Sequence, residues 1–345
     1  MLRFKFWLKI WIIGVYIIVA SFQQTQSAPI DDLIAATKKE GTLEFFAAGT
    51  LSPEGAQRLG EAFNKKYQLN VKTVFHPSSG MARDVAKVIT FVNAGLPSEW
   101  DVMLVTDAHH GTLWPRKVHQ TFDYAKVGVN PKLIQYDNGT VILAHGFALP
   151  AYNTKVLSPE EAPRSWEDLL DPKWKGGQLG ITDAVHHLAR LATAWGEEKT
   201  TRYVRALAGQ QAILGQPGHT FTRLQIGEIK IAFTLGEGYI HSAKLSGTPI
   251  IHAEGVEPVI APATNAGVIK GARHPNAGHL FTVFLTSPEA QKIWQQYRGE
   301  SSAFVAGTPA YEYAQRKKMV YMTQDWAEMV NRLTIEYGKI LGFAK

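Results

Sequence analysis

Gly139 to Asn153 reads GTVILAHGFALPAYN, a long apolar stretch with no helical period. Its extended reading is a strand that leaves one lobe and enters another. Upstream, strands and helices alternate. Leu43 to Ala48 reads as a buried strand. Ser52-Pro53 then opens a helix with Ala56, Leu59 and Phe63 at helical spacing, proline sitting where its missing N–H costs nothing. Asn70 to Phe75 is a second strand, and Ser78-Ser79-Gly80 opens a helix with the stripe Met81, Val85, Val88 and Val92. Trp100 to Val105 is a third strand. Downstream, Gln178 to Thr182 and Glu228 to Leu235 read as strands, Asp183 as the cap of a helix carrying Val185, Leu188, Ala192 and Trp195. A further extended run, Pro249 to Ile260, carries the chain back. This order predicts an α/β fold of two lobes, each a mostly parallel sheet flanked by helices, joined by a hinge of two crossing strands. The expected division is 29–141 with 252–305 as the first lobe, and 142–251 with 306–345 as the second.

The first residues bear on compartment. Arg3, Lys5 and Lys9 precede an apolar run from Ile10 to Ala20, no acid occurs before Asp31, and Ser27-Ala28 are small. That is the order of a secretory signal, 1–28, cleaved after Ser27 or Ala28, and it predicts a periplasmic protein. Removing it leaves 33 basic against 30 acidic residues, so the formal charge falls from +6 to +3. No basic run of five occurs, which argues against a nucleic-acid partner. With no cysteine, neither a disulfide framework nor a lipidated cysteine is available. HExxH, GxSxG and GxxxxGK[ST] motifs are absent, which makes a secreted hydrolase a poor alternative.

The most specific segment is Tyr152-Asn153-Thr154-Lys155, then Pro163 and Ser165-Trp166-Glu167-Asp168-Leu169-Leu170-Asp171-Pro172-Lys173-Trp174-Lys175-Gly176. Gly227-Glu228-Ile229, Ala266-Gly267-Val268-Ile269 and Phe284-Leu285-Thr286-Ser287-Pro288-Glu289-Ala290-Gln291 accompany it. Together these resemble the periplasmic solute-binding proteins of ABC importers, in the ferric-iron-binding branch of the class II fold. The resemblance implies a monomer without enzymatic activity or cofactor, two lobes closing on a small-molecule ligand, and transient docking on ABC permease membrane subunits. It leaves the solute open among ferric iron, thiamine, polyamines, phosphonates and small organic acids. Ser165 and Asp168 also read simply as helix caps, and Trp166 and Trp174 as packing.

Ligand contacts in such a fold belong at strand C-termini and helix N-termini. Thr50 and Ser52 follow the first strand, Ser78, Ser79 and Gly80 the second, and Thr182 and Asp183 a strand of the other lobe. Ser78-Ser79-Gly80 reads equally as an anion site and as an ordinary cap. Arg223 offers a bidentate partner to a carboxylate or phosphonate, or is a plain surface residue. Iron binding in the branch rests on adjacent tyrosines, whereas here Gly236-Glu237-Gly238-Tyr239 holds a single one. Tyr239, Glu237 and Asp107 are the oxygen donors a ferric ion would have to use. The missing tyrosine pair favours a small organic anion over ferric iron as solute.

Overall fold

The computed structural model describes residues 29–78 and 80–343; the expected signal segment, Ser79 and residues 344–345 lie outside them. In the first lobe, α1 (Pro29–Glu40) leads into β1 (Thr42–Ala48), α2 (Ser52–Tyr67), β2 (Lys72–Ser78), α3 (Met81–Asn93), β3 (Val102–Thr106) and α4 (Asp107–Leu113). β4 (Ile134–Gln135) and β5 (Thr140–His145) follow. The chain then enters the second lobe as β6 (Ala148–Asn153), β7 (Leu179–Thr182), α5 (His186–Trp195), α6 (Glu197–Ala208), β8 (Ile213–Gly215), α7 (Pro217–Gln225), β9 (Ile231–Gly236), α8 (Glu237–Leu245), β10 (Ile250–His252) and β11 (Val259–Ile260). It returns through β12 (Ala263–Val268), α9 (Pro275–Leu285) and α10 (Pro288–Arg298), and ends with α11 (Pro309–Ala314), β13 (Met319–Val320) and α12 (Ala327–Leu341).

The first sheet runs β2-β1-β3-β12-β5-β4; the second runs β13-β11-β6-β9-β7-β8, with β10 on β6. Both are mixed, which corrects the mostly parallel expectation. The crossover units β2-β1-β3 and β9-β7-β8 are parallel, but β5, β6 and β12 carry the chain out and back and pair antiparallel with their neighbours. Sheet membership also places the changes of lobe at Gly146-Phe147 and Ala261-Pro262, where the sequence suggested 141/142 and 251/252. The difference is physical: β5 stays hydrogen-bonded to β12 as far as His145, and β11 pairs with β6 before the return.

Each sheet buries its own core. Phe45, Leu59, Phe63, Phe281 and Phe284 pack between α2, α9 and the first sheet. Trp166, Leu188, Leu207, Phe233 and Val330 do so in the second lobe. Periodicity had assigned Leu59, Phe63, Val85 and Leu188 to buried stripes, and all four are buried. Among the described residues no helix is long and apolar enough to cross a membrane.

Candidate functional site

Strand directions bring two sets of tips face to face. From the first lobe come the 49–52 turn after β1, Ser78 and Gly80 after β2, and the start of α4 after β3. From the second come 182–186 after β7, the start of α7 after β8, and the start of α8 after β9. Contacts across the gap show that these tips meet. The rings of His109 and His186 lie 5.5 Å apart, edge to face. The His241 ring Nε2 lies 2.8 Å from the Gln296 carbonyl oxygen at the end of α10. A Cβ on Gly299 would come within 2.8 Å of the His241 Cβ, so glycine there permits the close approach of the end of α10 to α8.

Several sequence candidates meet at this cleft. Thr50 Oγ1 and Thr182 Oγ1 are both buried without a hydrogen-bond partner, as is His186 Nε2. Buried polar atoms are almost always paired, and these are three of nine such atoms without a partner among the described residues. The Tyr239 ring lies tilted against Phe221, centroids 5.4 Å apart, with its hydroxyl 3.7 Å from where a Gly218 Cβ would stand. Burial raises its phenol above the usual range; Arg298 opposes that shift and Asp183 adds to it. Asp183 is exposed at the tip of β7, and partial desolvation raises its carboxyl.

Other candidates are already engaged. The Ser78 hydroxyl donates to Asp84 (2.8 Å) and accepts the Gly80 N–H (3.2 Å), so it serves the start of α3. Ser52 Oγ accepts the Gly55 N–H at 3.2 Å, a capping role held at a φ of 63° that non-glycine residues rarely adopt. Glu237 turns toward the crossing: its Cβ is 3.4 Å from a Cβ position on Gly146, and its carboxylate 3.9 Å from His252 Nδ1. Burial, with Glu300 and Glu254 nearby, pushes its carboxyl up to about 8.

Two expectations are overturned. Asp107 and Arg190 are both fully buried and form a bidentate pair between the lobes, Nη1 to Oδ2 at 2.9 Å. Asp107 also accepts the N–H groups of Ala108 (2.8 Å) and Ala263 (3.2 Å), which leaves its carboxylate nothing to offer a solute. Arg223 lies in the last turn of α7, away from the cleft, 3.7 Å from Glu228. The tip-to-cleft rule applies to helix starts, and Arg223 sits at a helix end. Truncating it in Arg223→Ala is expected to change stability by no more than about 0.5 kcal/mol, since an exposed ion pair contributes little. Chemical denaturation checks this, and native mass spectrometry should find the retained solute at wild-type occupancy.

The ferric donor set is likewise not assembled. Asp107 is consumed by Arg190, Glu237 turns toward Gly146 at the crossing, and the Tyr239 hydroxyl lies by Gly218. Among the described residues no group of three or more histidine or acidic side chains is arranged for a metal ion.

Arg190, His109 and His186 escaped the sequence reading as site residues. One signal was present: Arg190 is the single charge in the helical run HHLARLATAW, and a lone arginine among apolar neighbours implies a buried partner. Burial holds His109 down to about 4 and His186 well below its usual value, with Arg190 adding to both shifts. His145, beside the crossing, is likewise held down to about 4 by burial. Their depressed values mean that these histidines contribute stability above about 6.5, lost as pH falls toward 4. The melting temperature is therefore expected to decline between pH 6.5 and 4, and a flat profile across that window would contradict the burial argument.

Comparison with known proteins agrees with this architecture. A family model described as bacterial extracellular solute-binding protein matches residues 43–297, which takes in both lobes. An uncharacterized protein of Haemophilus influenzae is 27% identical over 175 residues, 48% of this chain and 49% of the relative, so the match spans about half of that protein's length. The periplasmic binding protein AfuA from Actinobacillus pleuropneumoniae, solved with fructose-6-phosphate, superposes with a TM-score of 0.72 at 20% identity, covering 88% of this chain and 99% of that one. Iron-bound HitA from Pseudomonas aeruginosa superposes with a TM-score of 0.69 at 17% identity, covering 86% and 99%. Two lobes with facing strand tips, and a family match running through both, place this chain in the family of bacterial extracellular solute-binding proteins.

Proposed function

We propose that the protein is the periplasmic solute-capturing subunit of an ABC importer, binding a small organic anion between its lobes and delivering it to a membrane permease as a monomer. The observation that carries this reading is the set of unpartnered buried atoms, Thr50 Oγ1 on one lobe and Thr182 Oγ1 and His186 Nε2 on the other, at facing tips. A solute touching both lobes binds the closed form better than the open one, and only such a difference can drive closure. The starts of α2 and α3 favour negative charge through their dipoles, in part already supplied by Glu54 and Asp84 in their first turns. Residues 1–28 fit a cleaved export signal, and N-terminal sequencing of periplasmic protein should begin near Ala28.

Native mass spectrometry of protein isolated from the periplasm should find one retained small molecule. Stripping it should open the lobes, seen as a larger radius of gyration by small-angle scattering. Turnover of chromogenic esters or phosphates would replace this reading with a hydrolase. A ferric-tyrosinate absorption band that titrates one to one with iron and vanishes in Tyr239→Phe would replace the anion with iron.

A further inference from the structure

Asp183 stands between Thr182, only 2% exposed with an unpartnered Oγ1, and the unpartnered Nε2 of His186. Its place before α5 suggests a helix cap, yet the helix has no side-chain cap and begins at His186. Among the described residues the carboxyl's one hydrogen bond comes from Asp183's own backbone, and that backbone N–H is also 3.0 Å from the Gly215 carbonyl. Among the described residues the carboxyl makes no ion pair. Of the other carboxylates near the tips, Asp84 accepts from Ser78 and Asp107 is paired with Arg190, while Glu237 is buried and turned toward the crossing, 3.9 Å from His252 Nδ1. Among the described residues the exposed Asp183 carboxyl is therefore left without an ion pair at the tip of β7, and the Tyr239 hydroxyl stands over the neighbouring turn between β8 and α7, 3.7 Å from a Cβ position on Gly218.

We infer that the solute brings a hydrogen-bond-donating group, a hydroxyl or an ammonium, to Asp183 and Tyr239, and turns its anionic end toward the first lobe. An ionised carboxylate only accepts hydrogen bonds, and in a closing cleft it loses water that must be replaced by donors. Bonds to such a charged acceptor are short and strong, so the donor group is a selective feature of the solute. The first lobe offers the complement: the Thr50 hydroxyl and the starts of α2 and α3. The substrate class is then a hydroxy- or amino-substituted organic anion. This rests on the capture of a small anion between the lobes and adds its orientation.

The test uses matched pairs of compounds on the mature protein: lactate against propionate, alanine against N-acetylalanine, glycerol phosphate against propyl phosphate, and phosphoethanolamine against ethyl phosphate. At least one donor-bearing member should bind, by calorimetry and thermal shift, tenfold or more tighter than its partner. Asp183→Asn should lose that preference at least tenfold while the unliganded protein melts as wild type. Whether the hydroxyl or the amino members respond identifies the donor. Equal binding within every pair, or wild-type selectivity in Asp183→Asn, overturns the inference and leaves solute capture intact. If no pair binds, the mass of the solute retained from the periplasm decides: one lacking hydroxyl and amino groups overturns the inference. Retention of no solute at all defeats the capture reading itself.

Discussion

Arg190→Met is expected to destabilise the protein by about 3–5 kcal/mol, because it strands the Asp107 carboxylate in a fully buried site between the lobes. Two N–H groups, from Ala108 and Ala263, would still reach Asp107, but no cation would. Urea denaturation measures the loss. Combining Arg190→Met with Asp107→Asn removes the stranded charge, so the double variant should be more stable than the single one. Equal stabilities, or a single-variant loss below about 1 kcal/mol, would mean that the buried pair does not join the lobes as its geometry indicates. Ala263 begins β12 directly after the chain returns, so the pair ties the crossing itself to α5. Lobe orientation should loosen with its loss, visible as broadened small-angle scattering.

Trp166→Ala should cost a similar amount, about 3–5 kcal/mol, the range for emptying a large aromatic site. The side chain is fully buried against Phe233, ring centroids 5.4 Å apart, and its indole N–H donates to the Pro258 carbonyl at 3.0 Å. That hydrogen bond joins the segment after β6 to the strand that carries the chain back. Trp166→Phe keeps most of the volume and loses mainly the hydrogen bond, so it should cost distinctly less. If both variants melt as wild type by calorimetry, the core of the second lobe does not depend on this residue.

The segment around Trp166 also shows how much local pattern can say. Ser165 and Asp168 form the reciprocal capping pair expected of them: the Ser165 hydroxyl donates to the Asp168 carboxylate at 2.7 Å, and the Asp168 N–H to Ser165 Oγ at 3.1 Å. They open only a short 3-10 turn, Glu167–Leu170, rather than a full helix. Trp174 packs as well, 2% exposed, its indole N–H bonded to the Asp168 carbonyl at 2.9 Å. Spacing thus revealed the caps and the buried faces, because both depend on neighbours within a few residues.

Asp183 and Asp107 mark the limit of that reasoning. Both stand just after a strand, where a helix cap or ligand contact is the natural reading. In the fold one is left without a partner and the other is sealed. Local spacing would even favour the wrong pairing, since Arg190 lies seven positions from Asp183 yet answers Asp107, 83 positions away. By itself the sequence determined the alternation of strands and helices and which helix faces are buried. These follow from periods of two and 3.6 residues that any stretch of chain carries with it. Only the tertiary structure decided the antiparallel half of each sheet, the pairing of Arg223 with Glu228, and which tip carboxylates are already engaged. Those are settled by side chains and strands that meet in space after long excursions, where sequence separation carries no information about distance.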